Sequence, residues 1–181
     1  MKKLLAICLV TFIVCSCDKD NDKPKTELEK LPPATQIGAN KAGCLVDGMA
    51  FLPKGYFAAG GALFFFYQDG KNFSLAIRQN VNDGVRSINV TSGNQNLHNN
   101  IGVVFPLTEY GANSKAGRYS INSVAPPSPQ YYTTTATTTG ELIITYHNFD
   151  KAILSGTFWF DAVNSEGKIV KVREGRFDLK Y

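Results

Sequence analysis

Apolar and polar residues alternate along the last six positions of the chain, with Phe177, Leu179 and Tyr181 on one side and Arg176, Asp178 and Lys180 on the other. That spacing reads as a strand with one face in a core, because successive side chains of an extended chain point to opposite faces. The same two-residue rhythm recurs from Cys44 onward, and no window there carries the 3.6-residue spacing of an amphipathic helix. Turn residues punctuate it. Asp47-Gly48 separates two short apolar runs, and Asp69-Gly70-Lys71-Asn72 separates residues 62–68 from 73–79, both strong hairpin signals.

Further strands are expected at 85–90, 101–107, 118–124, 131–136, 142–149, 153–163, 168–173 and 176–181, with a turn at Asn164-Ser165-Glu166-Gly167. About ten short strands at hairpin spacing predict an all-β fold, a single antiparallel β-sandwich or flattened barrel. The block Phe64-Phe65-Phe66-Tyr67, like Tyr56-Phe57, reads as strand buried on both faces. Because the chain ends on a core strand, loss of its last six residues is expected to unfold the domain.

The N-terminus obeys different rules. Lys2-Lys3 precedes an apolar stretch over residues 4–14, too short to span a bilayer as a stable helix and of the form of a secretory signal. Signal peptidase II cuts before a cysteine that follows a small residue and has an aliphatic residue three positions back. Ser16 and Val14 meet both needs for Cys17, whereas Cys15 follows Val14 and has Phe12 at the third position. We therefore expect residues 1–16 to be a leader and Cys17 to be the first mature residue, carrying diacylglycerol and an N-acyl chain such as palmitate. At about 0.8 kcal/mol per buried CH₂, two or three such chains hold a protein at a membrane. Residues 17–43 then read as anchor and solvated tether, extended by Pro24, Pro32 and Pro33, and residues 44–181 as the β domain. Of the four cysteines only Cys44 remains in that domain, so no disulfide forms within it. Flanked by Gly43 and Leu45-Val46, Cys44 reads as a small apolar strand residue rather than a nucleophile.

Charge narrows the partners. Nineteen Lys and Arg face fifteen Asp and Glu, and removal of Lys2 and Lys3 leaves a mature chain near +2. No run of Lys or Arg exceeds two residues, so the counterion-releasing basic stripe of a nucleic-acid binder is missing and no nucleic-acid partner is expected.

Motifs that carry chemistry are scarce. Walker loops, Gly-x-Ser-x-Gly elbows, His-Glu-x-x-His and Cys-x-x-Cys pairs do not occur. Ser165 and Lys168 match Ser-x-x-Lys but fall in a hairpin turn, where the helical geometry of that motif cannot form. Asp18, Asp20, Asp22 and Glu29 have the spacing of calcium-loop ligands, yet Lys23 stands where the loop needs glycine and Pro24 follows. His98 and His147 have no second ligand at metal-site spacing. The Thr-rich run over residues 133–139 reads as strand edge or loop. No catalytic residue, metal or cofactor is assigned on these grounds.

Residues 153–163 offer the more informative surface. Leu154, Phe158, Phe160 and Ala162 share one face with Gly156, which leaves Ser155, Thr157, Trp159 and Asp161 on the polar one. A Trp beside hydroxyl and carboxylate groups can grip a sugar ring, its apolar face on the indole and its hydroxyls on the neighbours. Packing against a cross-strand aromatic, the Tyr131-Tyr132 segment or the tether is the competing explanation of the same Trp. Asp161, Glu141, Glu174 and Asp178 are also strand-borne acids of the type that glycoside hydrolysis uses in pairs about 5–10 Å apart.

The segment Leu31-Pro32-Pro33-Ala34-Thr35-Gln36-Ile37-Gly38-Ala39-Asn40 leads into Gly43-Cys44-Leu45-Val46-Asp47-Gly48. Leu154-Ser155-Gly156-Thr157-Phe158 and Gly175-Arg176-Phe177-Asp178 close the chain. With these motifs the chain resembles a family of Bacteroidota outer-membrane lipoproteins of unknown function. The resemblance implies an outer-membrane lipoprotein, and acidic residues after the lipidated cysteine, here Asp18, Asp20 and Asp22, look like a signal for the cell surface. It supplies no catalytic residues. The reading that emerges is a lipid-anchored envelope protein. Its β domain is expected to be a non-catalytic binding or accessory module for a glycan or protein, with a small hydrolase or a structural envelope component as the alternatives.

Overall fold

The computed structural model describes residues 24–58, 60–111, 113–124 and 127–181; the leader, Cys17 and the acidic residues Asp18, Asp20 and Asp22 lie outside them. The described chain is all-β. Eleven strands form one antiparallel sheet: β1 (Lys41–Val46), β2 (Met49–Phe51), β3 (Leu63–Gln68), β4 (Asn72–Val81), β5 (Gly84–Ser92), β6 (Val104–Leu107), β7 (Lys115–Val124), β8 (Pro127–Thr133), β9 (Gly140–Asn148), β10 (Ile153–Val163) and β11 (Ile169–Lys180). Both expected Asp-Gly turns close hairpins. Asp47 and Gly48 have φ of 47° and 83°, and Asp69 and Gly70 of 56° and 65°, the left-handed pair that matches the twist of flanking strands.

The main path runs β2-β1-β11-β10-β8-β7-β5-β4-β3, so β2 and β3 are its ends and the sheet does not close into a barrel. Strand β10 branches it. Its free side pairs with β9 over most of its length and with β8 only where Val163 meets Thr133. The sheet doubles over into two layers with the core between them. Phe73 of β4 stacks on Phe177 of β11 at 5.3 Å, and Phe51 of β2 meets Tyr119 of β7 edge-on at 6.1 Å. Leu75, Ile77, Ile88, Val90, Leu142 and Phe160 are fully buried there. Burying a side chain of this size contributes about 1.5–3 kcal/mol, which accounts for a stable domain without a crosslink.

Four expectations change. The aromatic block of β3 is an edge strand, not one buried on both faces: Phe65 and Tyr67 pack on the core while Phe64 and Phe66 are exposed, and Tyr56 is exposed as well. Strand β6 begins at Val104 rather than at residue 101. Strand β8 ends at Thr133, and Thr135 turns the Thr-rich run by accepting hydrogen bonds from the amides of Thr137 and Thr138.

The fourth change concerns the expected tether. From Glu27 the chain is tied to the domain, and β1 starts at Lys41. Thr26 and Glu29 cap each other reciprocally at the 3₁₀ turn Leu28–Lys30, which occupies the carboxylate considered as a calcium ligand. Glu27 accepts the Ala50 amide at 2.8 Å, Leu31 is buried, and residues 35–39 fold over Asp178. Asp178 points away from the core, as its position in the alternation requires, but this segment covers it to 2% exposure. Its carboxylate accepts from Thr35 Oγ1 (2.6 Å), the amides of Ile37, Gly38 and Ala39 (3.1, 2.9 and 3.0 Å) and Ser155 Oγ (2.8 Å). Burial alone would raise its pKa. The hydrogen bonds outweigh that and hold it at about 2, below the ordinary 3.8.

Candidate functional site

Three adjacent strands carry the site. On β10 the buried and half-buried residues alternate through residues 157–163, so Thr157, Trp159 and Asp161 share the face opposite the core, as expected. Register then supplies neighbours. Glu141 of β9 pairs with Trp159, and Arg176 of β11 pairs with Thr157.

A bulge shapes the other side. Phe158 pairs with Gly175 and Phe160 with Val172, which leaves Arg173 and Glu174 together opposite Trp159. Glu174 takes a φ of 55°, uncommon for a residue with a Cβ, and a Cβ at Gly175 would sit 2.5 Å from the Phe158 ring. Strand β11 is thus bent outward beside the tryptophan, and Glu-Gly inside a strand pattern was the sequence's one mark of it.

The result is an open groove of about 440 Å³ lined by Ala34, Glu141, Thr157, Trp159, Glu174 and Arg176 among others. The Trp159 indole N–H donates to Glu141 Oε2 at 3.0 Å. The Arg173 guanidinium lies 5.1 Å from the centre of the Trp159 ring, forms an ion pair with Asp161 at 2.6 Å, and donates to the carbonyls of Phe160 and Val172. Arg176 reaches Glu174 at 3.0 Å. Two of the three expected patch residues, Thr157 and Trp159, therefore line the groove, while Asp161 orients the arginine that backs it.

Trp159 is half-buried, with the Arg173 guanidinium beside its ring and Glu141 on its indole N–H, and Ala34 of the expected tether lines the same groove. Of the four strand-borne acids, Glu141 and Glu174 reach this groove, Asp161 is paired beside it, and Asp178 is committed to the N-terminal segment. The roles of Arg173 and Arg176 were not legible, because they arise from register across strands distant in sequence.

The fold also joins His98 and His147, with ring centres 5.1 Å apart among Tyr67, Phe149 and Tyr181. His147 Nε2 lies 2.8 Å from the Tyr181 hydroxyl, and burial, then the neighbouring His98, lowers its pKa. No group of three or more His, Cys, Asp or Glu suited to a metal occurs among the described residues. Cys44 is fully buried, which pushes its thiol pKa far above the usual range.

A two-layered antiparallel domain with an arginine-backed tryptophan groove on its outer surface is the class of protein these features define. Residues 68–178 match a family described as a domain of unknown function, DUF6252, and the chain belongs to that family. The match runs from the end of β3 to Asp178 and so contains every charged residue of the groove. No curated protein and no solved structure matches the chain.

Proposed function

We propose that the protein is a lipid-anchored outer-membrane protein of the cell envelope, held by acyl chains on Cys17, whose β domain is a non-catalytic binding module for a glycan or protein ligand. The Trp159 groove is its ligand site. The observation that carries this reading is the half-buried indole in an open groove with hydroxyl, carboxylate and guanidinium groups beside it. An apolar surface ringed by a few oriented polar groups is the usual composition of a ligand site. Thr157 and Arg176 offer hydrogen bonds to sugar hydroxyls or to a peptide backbone, and Ile143 extends the apolar floor.

Trp159 is the chain's one tryptophan, so its fluorescence reports the groove without ambiguity. Titration with envelope polysaccharide fragments and with candidate envelope proteins is expected to shift or quench the emission saturably. An emission unmoved by any of them removes the site. Mass spectrometry of the N-terminal peptide checks the anchor, and an unmodified Cys17 or cleavage elsewhere defeats it.

Glu141 and Glu174 on one groove give the hydrolase reading its specific support. Release of reducing ends from a polysaccharide, abolished in both Glu141→Gln and Glu174→Gln, would replace the binding reading with it.

A further inference from the structure

The outer surface of the other layer is built from a different chemistry. Strands β3, β4, β5, β7 and β8 contain no Asp or Glu at any position, whereas β9, β10 and β11 carry Glu141, Asp161, Glu174 and Asp178. The nearest acids of the first layer lie outside its strands: Asp69 and Asp83 in the turns at either end of β4, and Glu109 ahead of β7. Registers place Ser74 beside Thr91, Arg78 beside Ser87, and Asn89 beside Arg118. The face away from the core is therefore floored by short uncharged hydroxyl and amide side chains.

Aromatic rings stand on this floor. Phe64, Phe66, Tyr110 and Tyr131 are each at least 39% exposed, and exposed aromatic groups gathered on one face mark an interaction surface. Phe66 and Tyr110 flank a concavity of about 450 Å³ that is floored by Gln68, Asn72, Ser74 and Thr91. The Arg118 guanidinium lies beside it, 4.0 Å from the Tyr131 ring centre and 4.9 Å from that of Tyr110, with Nη1 donating to the Tyr110 hydroxyl at 3.1 Å. Arg78 is held similarly near Phe57 and Phe64, at 5.8 and 5.7 Å. Clamping a guanidinium between rings removes its conformational freedom before a ligand arrives, and with Nη1 given to Tyr110 and Nε buried it is Nη2 of Arg118 that remains for an anion.

We propose that this face is a second ligand surface, separate from the Trp159 groove, for an oligosaccharide that carries carboxylates, a uronic-acid chain. Phe66 and Tyr110 stack on sugar rings, Asn72, Ser74 and Thr91 take up ring hydroxyls, and Arg118 takes the carboxylate. The lack of acids within these five strands removes the repulsion that a polyanionic chain would meet on the opposite layer. A nucleic acid is disfavoured because its phosphates call for more cationic contacts than two clamped arginines provide.

The test is calorimetric titration and amide-resolved NMR of the full chain in micelles, with tetragalacturonate as probe and cellotetraose, poly-L-glutamate and single-stranded DNA as comparisons. Saturable shifts with tetragalacturonate are expected in β3, β4, β5 and β7. Affinity should be weaker by about tenfold or more in Arg118→Gln and in Phe66→Ala, the scale of one lost charge-assisted hydrogen bond or stacked ring. Arg118→Lys keeps the charge without the planar fork and should fall between, and the amide spectrum of each variant establishes that it is folded. No saturable shift, shifts confined to the Trp159 groove, equal affinity for polyglutamate or DNA, or an Arg118→Gln variant that binds like the parent would each overturn the proposal.

Discussion

Replacing Asp178 by Asn keeps the side chain's volume and removes its charge, which isolates the worth of the carboxylate that pins residues 35–39. Oδ2 accepts from Thr35, Ile37 and Ala39, and Oδ1 from Gly38 and Ser155. The new amide NH₂ must take one of those places, and the better choice is that of Oδ1. There the Ser155 hydroxyl can reverse and accept, but the Gly38 N–H has nothing left to donate to. An orphaned buried donor costs about 1–3 kcal/mol, and hydrogen bonds that lose a charged acceptor weaken further. The sum is about 3 kcal/mol of unfolding free energy at neutral pH, read as a lower urea midpoint at unchanged slope.

Proton linkage gives an independent check on the same group. Its folded pKa of about 2 lies below the ordinary 3.8, so its stabilisation is complete above about pH 4 and is lost as the pH falls through 2. The part that titrates is at most about 2 kcal/mol. The gap between parent and variant should therefore narrow to about 1 kcal/mol by pH 2. A variant within about 0.5 kcal/mol of the parent at pH 7, or a gap undiminished at pH 2, would refute the reasoning.

Other perturbations test the core. Cys44, buried with a raised thiol pKa, should resist Ellman's reagent in a folded chain that starts at Asp18 and so has no other thiol, and react fully in denaturant; labelling at a free-thiol rate in the native state contradicts that burial. Gly117→Ala would set a Cβ 2.5 Å from the Phe160 ring, so thermal unfolding should show a loss of about 1–3 kcal/mol, and an unshifted melt would mean that the ring has room to move. Deleting residues 176–181 removes the buried Phe177 and Leu179 together with the Asp178 clamp, and should abolish cooperative melting followed by circular dichroism; a truncated chain that melts like the parent contradicts the placement of β11 in the core.

Local pattern carried most of the fold into view. Asp47-Gly48, Asp69-Gly70 and the strict alternation of residues 157–163 each encode their conformation within a few residues, and each stands as expected. What failed depended on partners. The apolar block of β3 reads as doubly buried because composition cannot tell a central strand from an edge, and only the topology shows that β3 pairs with β4 alone. Strand β8 starts four residues before the expected one and contains Pro127 and Pro129, which are tolerated because β8 meets β10 at a single residue pair. The site divides in the same way. The shared face of Thr157 and Trp159 is local, whereas Glu141 and the bulged Arg173-Glu174 come to them through register.

Asp178 also decides how the domain bears a pull. Any load arriving through the chain ahead of Pro24 meets the clamp over residues 35–39 before it reaches β1, and from there it passes into β11, which is paired on both sides, by β1 and β10. Tension is thus delivered to an interior strand rather than to a margin that could peel. A protein tethered by its front end would hold its shape in a moving medium for as long as that one carboxylate keeps its grip.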